Sequence, residues 1–192
     1  MNKQPHRTSK TRQALVDSFW KLYREKDIEK ITIKEITTDA GFYRSTFYAY
    51  FTHVYGLLHE IEEGLIHEFL ETTEKLMEEE RFDQALEHIL KFYEKNGEYV
   101  AVLLGPKGDR EFYLKVKDII ISIFLARTGG EKEGLERDIA FEIMSSSVIA
   151  LLNYWYEHRD AIRLRDVLLT GSGFFRKGML PYLETQGIRF LD

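Results

Sequence analysis

Apolar residues at the start of the chain recur with the period of a helix. Leu15, Phe19, Leu22 and Tyr23 follow one another at steps of four and three, with Ala14 and Val16 widening the stripe. This predicts an amphipathic helix from about Thr8 to Lys26-Asp27. Ile31-Thr32-Ile33 then opens a short helix. Thr32 is placed to cap it, because a hydroxyl there accepts a backbone N–H that the helix leaves unpaired, and Glu35 stands at the capping-box position. Gly41, after Ala40, suits a sharp helix end, and a further helix is predicted from about Arg44 to Phe51. Two short helices around so tight a turn predict a helix-turn-helix.

Leu57, Leu58, Ile61, Leu65 and Phe69 predict a long helix to about Glu79 that joins this segment to the rest. Phe82, Leu86, Ile89, Leu90 and Tyr93 predict another, which Gly97 is expected to end. Gly105-Pro106-Lys107-Gly108 breaks the chain, and Asp109 is placed to cap a helix to about Arg127, ended by Gly129-Gly130. Two strongly apolar helices, about Leu135 to His158 and Leu164 to Leu183, flank the charged link Arg159-Asp160. No segment alternates like a half-buried strand. The expected architecture is all-α with about nine helices.

Charge adds an asymmetry. The chain carries a net −5, yet residues 1–60 hold ten Lys/Arg against seven Asp/Glu, leaving seventeen against twenty-five in the remainder. Lys3, Arg7, Lys10 and Arg12, with His6 among them, precede any acid, as in an arm that meets phosphates. Zero cysteines exclude disulfides, thiolate zinc sites and a cysteine nucleophile. No apolar run approaches the roughly 20 residues of a membrane helix, and the polar first segment is unlike a signal peptide, so a cytoplasmic protein without membrane contact is expected.

The segment from Thr32 to Phe51 concentrates the chemistry. Ile33, Ile36, Ala40, Phe42, Phe47 and Tyr50 are the inward positions that hold two helices at a wide angle, while Tyr43, Arg44, Ser45, Thr46 and Tyr48 point outward. Arg44 suits a guanine edge or a phosphate, Ser45 and Thr46 reach phosphate or base, and the two tyrosines pack on sugars or a thymine methyl. The string Thr-Ile-x-x-Ile, Ala-Gly and Thr-Phe-Tyr-x-Tyr-Phe, with the Leu15/Phe19/Leu22 helix before it, resembles the DNA-binding domain of the TetR family over about residues 8 to 60. That resemblance implies a homodimer in which residues 1–53 bind a double-stranded DNA operator. Residues 54–192 would then dimerise and bind a small-molecule effector. It implies phosphate contacts from Thr32 and Tyr48, Arg44, Ser45 and Thr46 in the major groove, and Tyr43 at the start of the recognition helix. Lys10 and Arg12 are the candidate contacts of the basic arm.

Two positions depart from the family pattern. Val54 stands where a phosphate-binding Lys is common, with His53 beside it as a partial replacement, and Thr37 occupies a site that is often Ala. There the Thr37 hydroxyl must bond a carbonyl one turn back or face a partner. Leu-Leu-Gly-Pro-Lys-Gly-Asp-Arg-Glu-Phe and the late Phe-Phe-Arg-Lys-Gly-Met-Leu-Pro-Tyr-Leu resemble a carboxy-terminal type found in Firmicutes members of the family. As the family packs its last two helices across a dimer, the expected interface is Ile143, Ser147, Ala150 and Tyr154 with Leu168, Gly171, Phe175 and Gly178. Aromatic residues such as Phe92, Tyr93, Phe112 and Trp155 fit a pocket lining or plain core equally, so no effector residue is assigned.

Other chemistry finds little support. His59, Glu63 and His67 share a helix face without a fourth metal ligand, Ser145, Ser146 and Ser147 lack a paired His and Asp, and Gly105-Pro106-Lys107-Gly108 lacks the remainder of a phosphate loop. The reading is a non-enzymatic regulator, a ligand-responsive repressor on a palindromic operator, with no metal or cofactor. The alternative is an adaptor or co-regulator of the same fold that works through a protein partner.

Overall fold

A computed structural model describes residues 5–78, 82–106, 108–128 and 134–178. Among these the chain is all-helical, with eight α-helices and one short 3-10 turn, Ile28–Lys30. The helices are α1 Pro5–Glu25, α2 Ile33–Asp39, α3 Arg44–Tyr48, α4 Tyr55–Glu78, α5 Phe82–Leu103, α6 Arg110–Thr128, α7 Leu135–Glu157 and α8 Leu164–Lys177. The stretch of the last predicted helix from Met179 to Leu183 lies outside the described residues, as does the Gly129-Gly130 break.

The backbone gathers into two compact units, Met1–His67 and Glu68–Asp192, the division falling within α4. In the first unit the core forms around Leu15, Phe19, Ile36, Phe47 and Leu57, all without exposed surface. These are the apolar stripes of α1, α2, α3 and α4, so the 3.6-residue period of the sequence is what closes this unit. Polar ties fix the helices against one another. The buried Ser18 hydroxyl of α1 donates to the Ile36 carbonyl of α2 at 2.9 Å. Lys21 of α1 meets Asp39 of α2 at 2.6 Å.

In the second unit α7 packs against α5, α6 and α8, burying Leu86, Phe92, Leu103, Phe112, Ile149, Leu152 and Val167. Asp109 caps α6 as expected, its side chain accepting from the N–H groups of Glu111 and Phe112. Gly97 does not end a helix. It lies inside α5, where a Cβ would come within 3.3 Å of the Trp155 ring of α7. The glycine therefore serves close helix packing, and the cost of a mid-helix glycine is set against that contact. Gly171 is similar, since a Cβ there would meet Leu151 Cδ1 at 2.6 Å. No described helix is long and apolar enough to cross a membrane.

Candidate nucleic-acid interface

Local chemistry fixes the α2–turn–α3 segment. The Thr32 hydroxyl oxygen accepts from Glu35 N–H at 3.3 Å, and the Glu35 carboxylate accepts from the Thr32 backbone N–H at 2.9 Å, completing the capping box. Lys26 reaches the same carboxylate at 2.5 Å. With Lys26 and then Thr32 as the main causes, the Glu35 carboxyl is held down at about 2. Asp39 is lowered in the same way, chiefly by Lys21 and then by Ser18.

At the other end of α2, Ala40 is the last residue of helical conformation and Gly41 has φ +73°. Phe42 N–H then reaches back to the Thr37 carbonyl at 2.8 Å and Gly41 N–H to Thr38 at 3.3 Å. These two reverse bonds form a Schellman motif, which turns the chain into α3 within three residues. Thr37, the unusual residue at its position, is buried, and its hydroxyl donates to the Ile33 carbonyl at 2.8 Å. Of the two uses open to that hydroxyl, the chain takes the bond one turn back.

α3 presents its outward residues to solvent. Tyr43 is 84% and Tyr48 54% exposed, Arg44 and Ser45 are exposed, and Thr46 is half-buried. Arg44 makes no ion pair with any described residue, so its full guanidinium fork is available. Beneath this surface Phe47 is fully buried, edge-on to Tyr48 at 5.8 Å and tilted against Phe51 at 5.7 Å. Thr32 is exposed at the start of α2, but its side chain is engaged by Glu35.

The arm residues differ from each other. Lys10 is exposed on α1. Arg12 is paired with Glu60 of α4 at 2.6 Å and lies over the Phe51 ring at 5.5 Å. Burial raises the Glu60 carboxyl while Arg12 lowers it. His53 sits before α4, where its Nδ1 accepts from Gly56 N–H at 3.2 Å. That bond leaves the other ring nitrogen free to donate. Sequence reasoning missed the residues that set α2 in place, Ser18, Lys21 and Lys26, and Glu60, which holds Arg12, because their partners are distant in the chain and no local spacing marks them.

In the second unit the expected interface residues divide. Ile143 (58% exposed), Ala150 and Tyr154 (51%) lie open on α7 and Phe175 on α8, while Ser147 and Leu168 are half-buried. Gly171 is buried against α7 of its own chain, and Gly178 ends α8 with φ +81°. Among the described residues no three His, Asp or Glu side chains gather as metal ligands, and His59 lies 4.0 Å from Glu63.

No family profile matches the chain, and no curated protein matches it in sequence. Among solved structures, a TetR transcriptional regulator from Streptococcus agalactiae 2603V aligns with TM-score 0.62 at 29% identity, covering 86% of this chain and 93% of its own. The fatty acid degradation regulator FadR from Bacillus halodurans aligns with TM-score 0.66 at 13% identity, covering 93% of this chain and 98% of its own. The dihydroxyacetone kinase operon activator DhaS gives 0.55 at 14% identity, covering 86% and 93%. The last two share the fold. The helix-turn-helix with its open recognition helix, together with the likeness to the Streptococcus regulator, supports a DNA-binding transcriptional regulator. This chain has the all-helical fold of TetR-type transcriptional regulators.

Proposed function

We propose that the protein is a homodimeric repressor that binds a palindromic operator through residues 1–53 and releases it when a small molecule occupies the second unit. The observation that carries the reading is the outward face of α3. Tyr43, Arg44, Ser45 and Tyr48 stand exposed on a turn locked by the Gly41 Schellman motif, and no described residue gives their side chains a polar partner. Arg44, Ser45 and Thr46 supply sequence choice. Thr32, Tyr48, Lys10, Arg12 and His53 supply phosphate contacts, Arg12 through the donors that Glu60 leaves open.

Two features of the second unit support the rest. α7 is apolar on both sides, with Phe141, Ile149 and Leu152 inward and Ile139, Ile143 and Tyr154 outward and exposed. A helix of that kind is stable in water only when its outer face is covered. A second copy, meeting it through Ile143, Ser147, Ala150 and Tyr154 and through Leu168, Phe175 and Gly178 of α8, which Gly171 holds close against α7 within the chain, covers it symmetrically. Phe92, Tyr93 and Trp155 form an aromatic cluster with ring centroids 5.3 and 6.4 Å apart. On the same helix as Trp155, Asn153 donates to the Leu104 carbonyl while its own buried carbonyl oxygen has no partner, and an effector that is apolar with a hydrogen-bond donor would suit these groups.

Selection of duplexes from a random pool by the purified chain at physiological salt tests the reading. Enrichment of a two-fold symmetric site, bound about a thousandfold above scrambled DNA, supports it. Binding that is weak and indifferent to sequence would refute it.

A further inference from the structure

Four bases of the first unit are held by carboxylates of the same chain. Arg12 meets Glu60, Lys21 meets Asp39, Lys26 meets Glu35 and Lys30 meets Asp27, each at 2.5 to 2.6 Å. Three of these pairs lie at α2 or at the turn ahead of it, and in each the lysine donates a hydrogen bond to the acid. Held this way, Glu35 and Asp39 stay below the ordinary carboxylate range.

Arg12 and Glu60 form a pair of another kind, tying α1 to α4. Arg12 Nη2 is 2.6 Å from Glu60 Oε2, yet that oxygen is buried and receives no hydrogen bond of good geometry from any described residue. The contact is therefore one of charge alone. Burial outweighs Arg12 and raises the Glu60 carboxyl, the reverse of Glu35 and Asp39. A partly buried carboxylate without a directed bond gains little stability from its ion pair, because desolvation offsets the attraction. Stability alone thus gives little reason for an acid at this position. The guanidinium is the more open partner, half exposed against 28% for Glu60. It lies over the Phe51 ring at 5.5 Å, and Phe51 in turn packs on Phe47 of α3 at 5.7 Å. Arg12 therefore stands open to solvent on a ring that supports the recognition helix, its charge offset by the less exposed Glu60.

We propose that Glu60 restrains DNA binding through Arg12: it offsets the charge of that guanidinium, so a phosphate draws on Arg12 only against a carboxylate of the protein itself. The inference rests on the DNA-reading function above and gives α4 a part in it that is not a DNA contact. Glu60 is a positioning residue, acting through Arg12. A phosphate contact carries no sequence information, so an unrestrained Arg12 would tighten binding to every duplex alike. The restraint lowers affinity for operator and bulk DNA together and leaves the ratio between them to α3.

The test uses the full chain as wild type, Glu60→Gln, Arg12→Gln and the double variant. Affinity for the selected duplex and for its scrambled counterpart is measured over a salt series. Glu60→Gln is expected to bind both duplexes more tightly by the same factor, about 2- to 30-fold for two subunits, the range that exposed ion pairs span. Its log–log salt dependence should steepen by at most about 1.8, or about 0.9 for each of two phosphates that Arg12 then neutralises in full. In the Arg12→Gln background the same substitution should change neither affinity nor slope. A protein that has lost its fold cannot bind more tightly, so the gain separates this role from a structural one. Glu60→Gln affinity equal to or below that of wild type overturns the proposal while leaving the DNA reading intact. A gain that persists without Arg12 also overturns it, because Glu60 then acts as a bare charge facing the DNA. If wild type binds neither duplex, the DNA reading itself falls and the restraint with it.

Discussion

The Glu35 carboxylate and Thr32 hold each other from both sides. One carboxylate oxygen accepts from the Thr32 backbone N–H at 2.9 Å and from its hydroxyl at 2.7 Å, while that hydroxyl oxygen accepts from Glu35 N–H. With Lys26 on the other oxygen, the charged form of Glu35 is favoured in the folded chain, and its pKa drops from 4.5 to about 2. A depressed carboxyl contributes stability that is fully present above the unfolded value and is lost as pH falls toward the folded one. Acid unfolding of the first unit should therefore steepen between about pH 4.5 and 2. Glu35→Gln should lower stability at neutral pH and remove that part of the slope. Fluorescence of buried Trp20, read in a Trp155→Phe background, follows it, and identical acid limbs in the two proteins would count against the assignment.

Gly41 carries the turn between the two helices. Its φ is +73°, and no atom lies within 4 Å of where a Cβ would stand. The cost of a side chain is therefore one of backbone alone, about 1–2 kcal/mol for a residue forced into the left-handed region. Gly41→Ala should lower the unfolding free energy in urea by that amount, and Gly41→Asn by less, since Asn tolerates this conformation. Equal midpoints for glycine and alanine would mean that the turn can relax elsewhere.

What could be read from the sequence follows the range of the interactions. Thr32 with Glu35, Gly41 after Ala40, and Asp109 ahead of α6 all act within four residues, so their spacing announces them. The stripe of Leu15 and Phe19 and the inward set Ile36 and Phe47 are legible for the same reason, because periodicity is local even when the core it builds is not. Gly97 defeats such a reading because its environment is Trp155, far along the chain, whose ring takes the space a side chain would need. A local rule that glycine ends helices cannot see such a neighbour. Arg12 shows the same limit at the site: the basic arm is evident in the sequence, but its partner Glu60 is visible only in the fold.

Arg44 offers the sharpest test of sequence reading by α3. It is exposed and makes no ion pair with a described residue, so Arg44→Ala should leave the melting temperature unchanged. If the guanidinium binds a guanine edge with two hydrogen bonds, its loss should cost about 1–3 kcal/mol at each half-site, or roughly 5- to 150-fold in affinity per half-site. Binding to scrambled DNA should change far less. The informative quantity is the ratio of the two affinities. A fall of equal size on both duplexes would move Arg44 from the bases to the phosphates.

The outer face of α7 decides whether two copies associate as proposed. Ile143 is 58% exposed in the single chain, with Ile139 and Ala150 on the same open side, so replacing it should not disturb the protomer's own core. Ile143→Glu would place two like charges near each other across a two-fold interface and desolvate both. Sedimentation should therefore show wild type as a dimer and the variant as a monomer, with unchanged far-ultraviolet dichroism. Operator affinity should fall as well, because two reading heads that are no longer linked lose the high effective concentration that holds the second on its half-site. A variant that stays dimeric would remove α7 from the interface. A variant that is monomeric yet binds the full operator as wild type does would show that one head suffices.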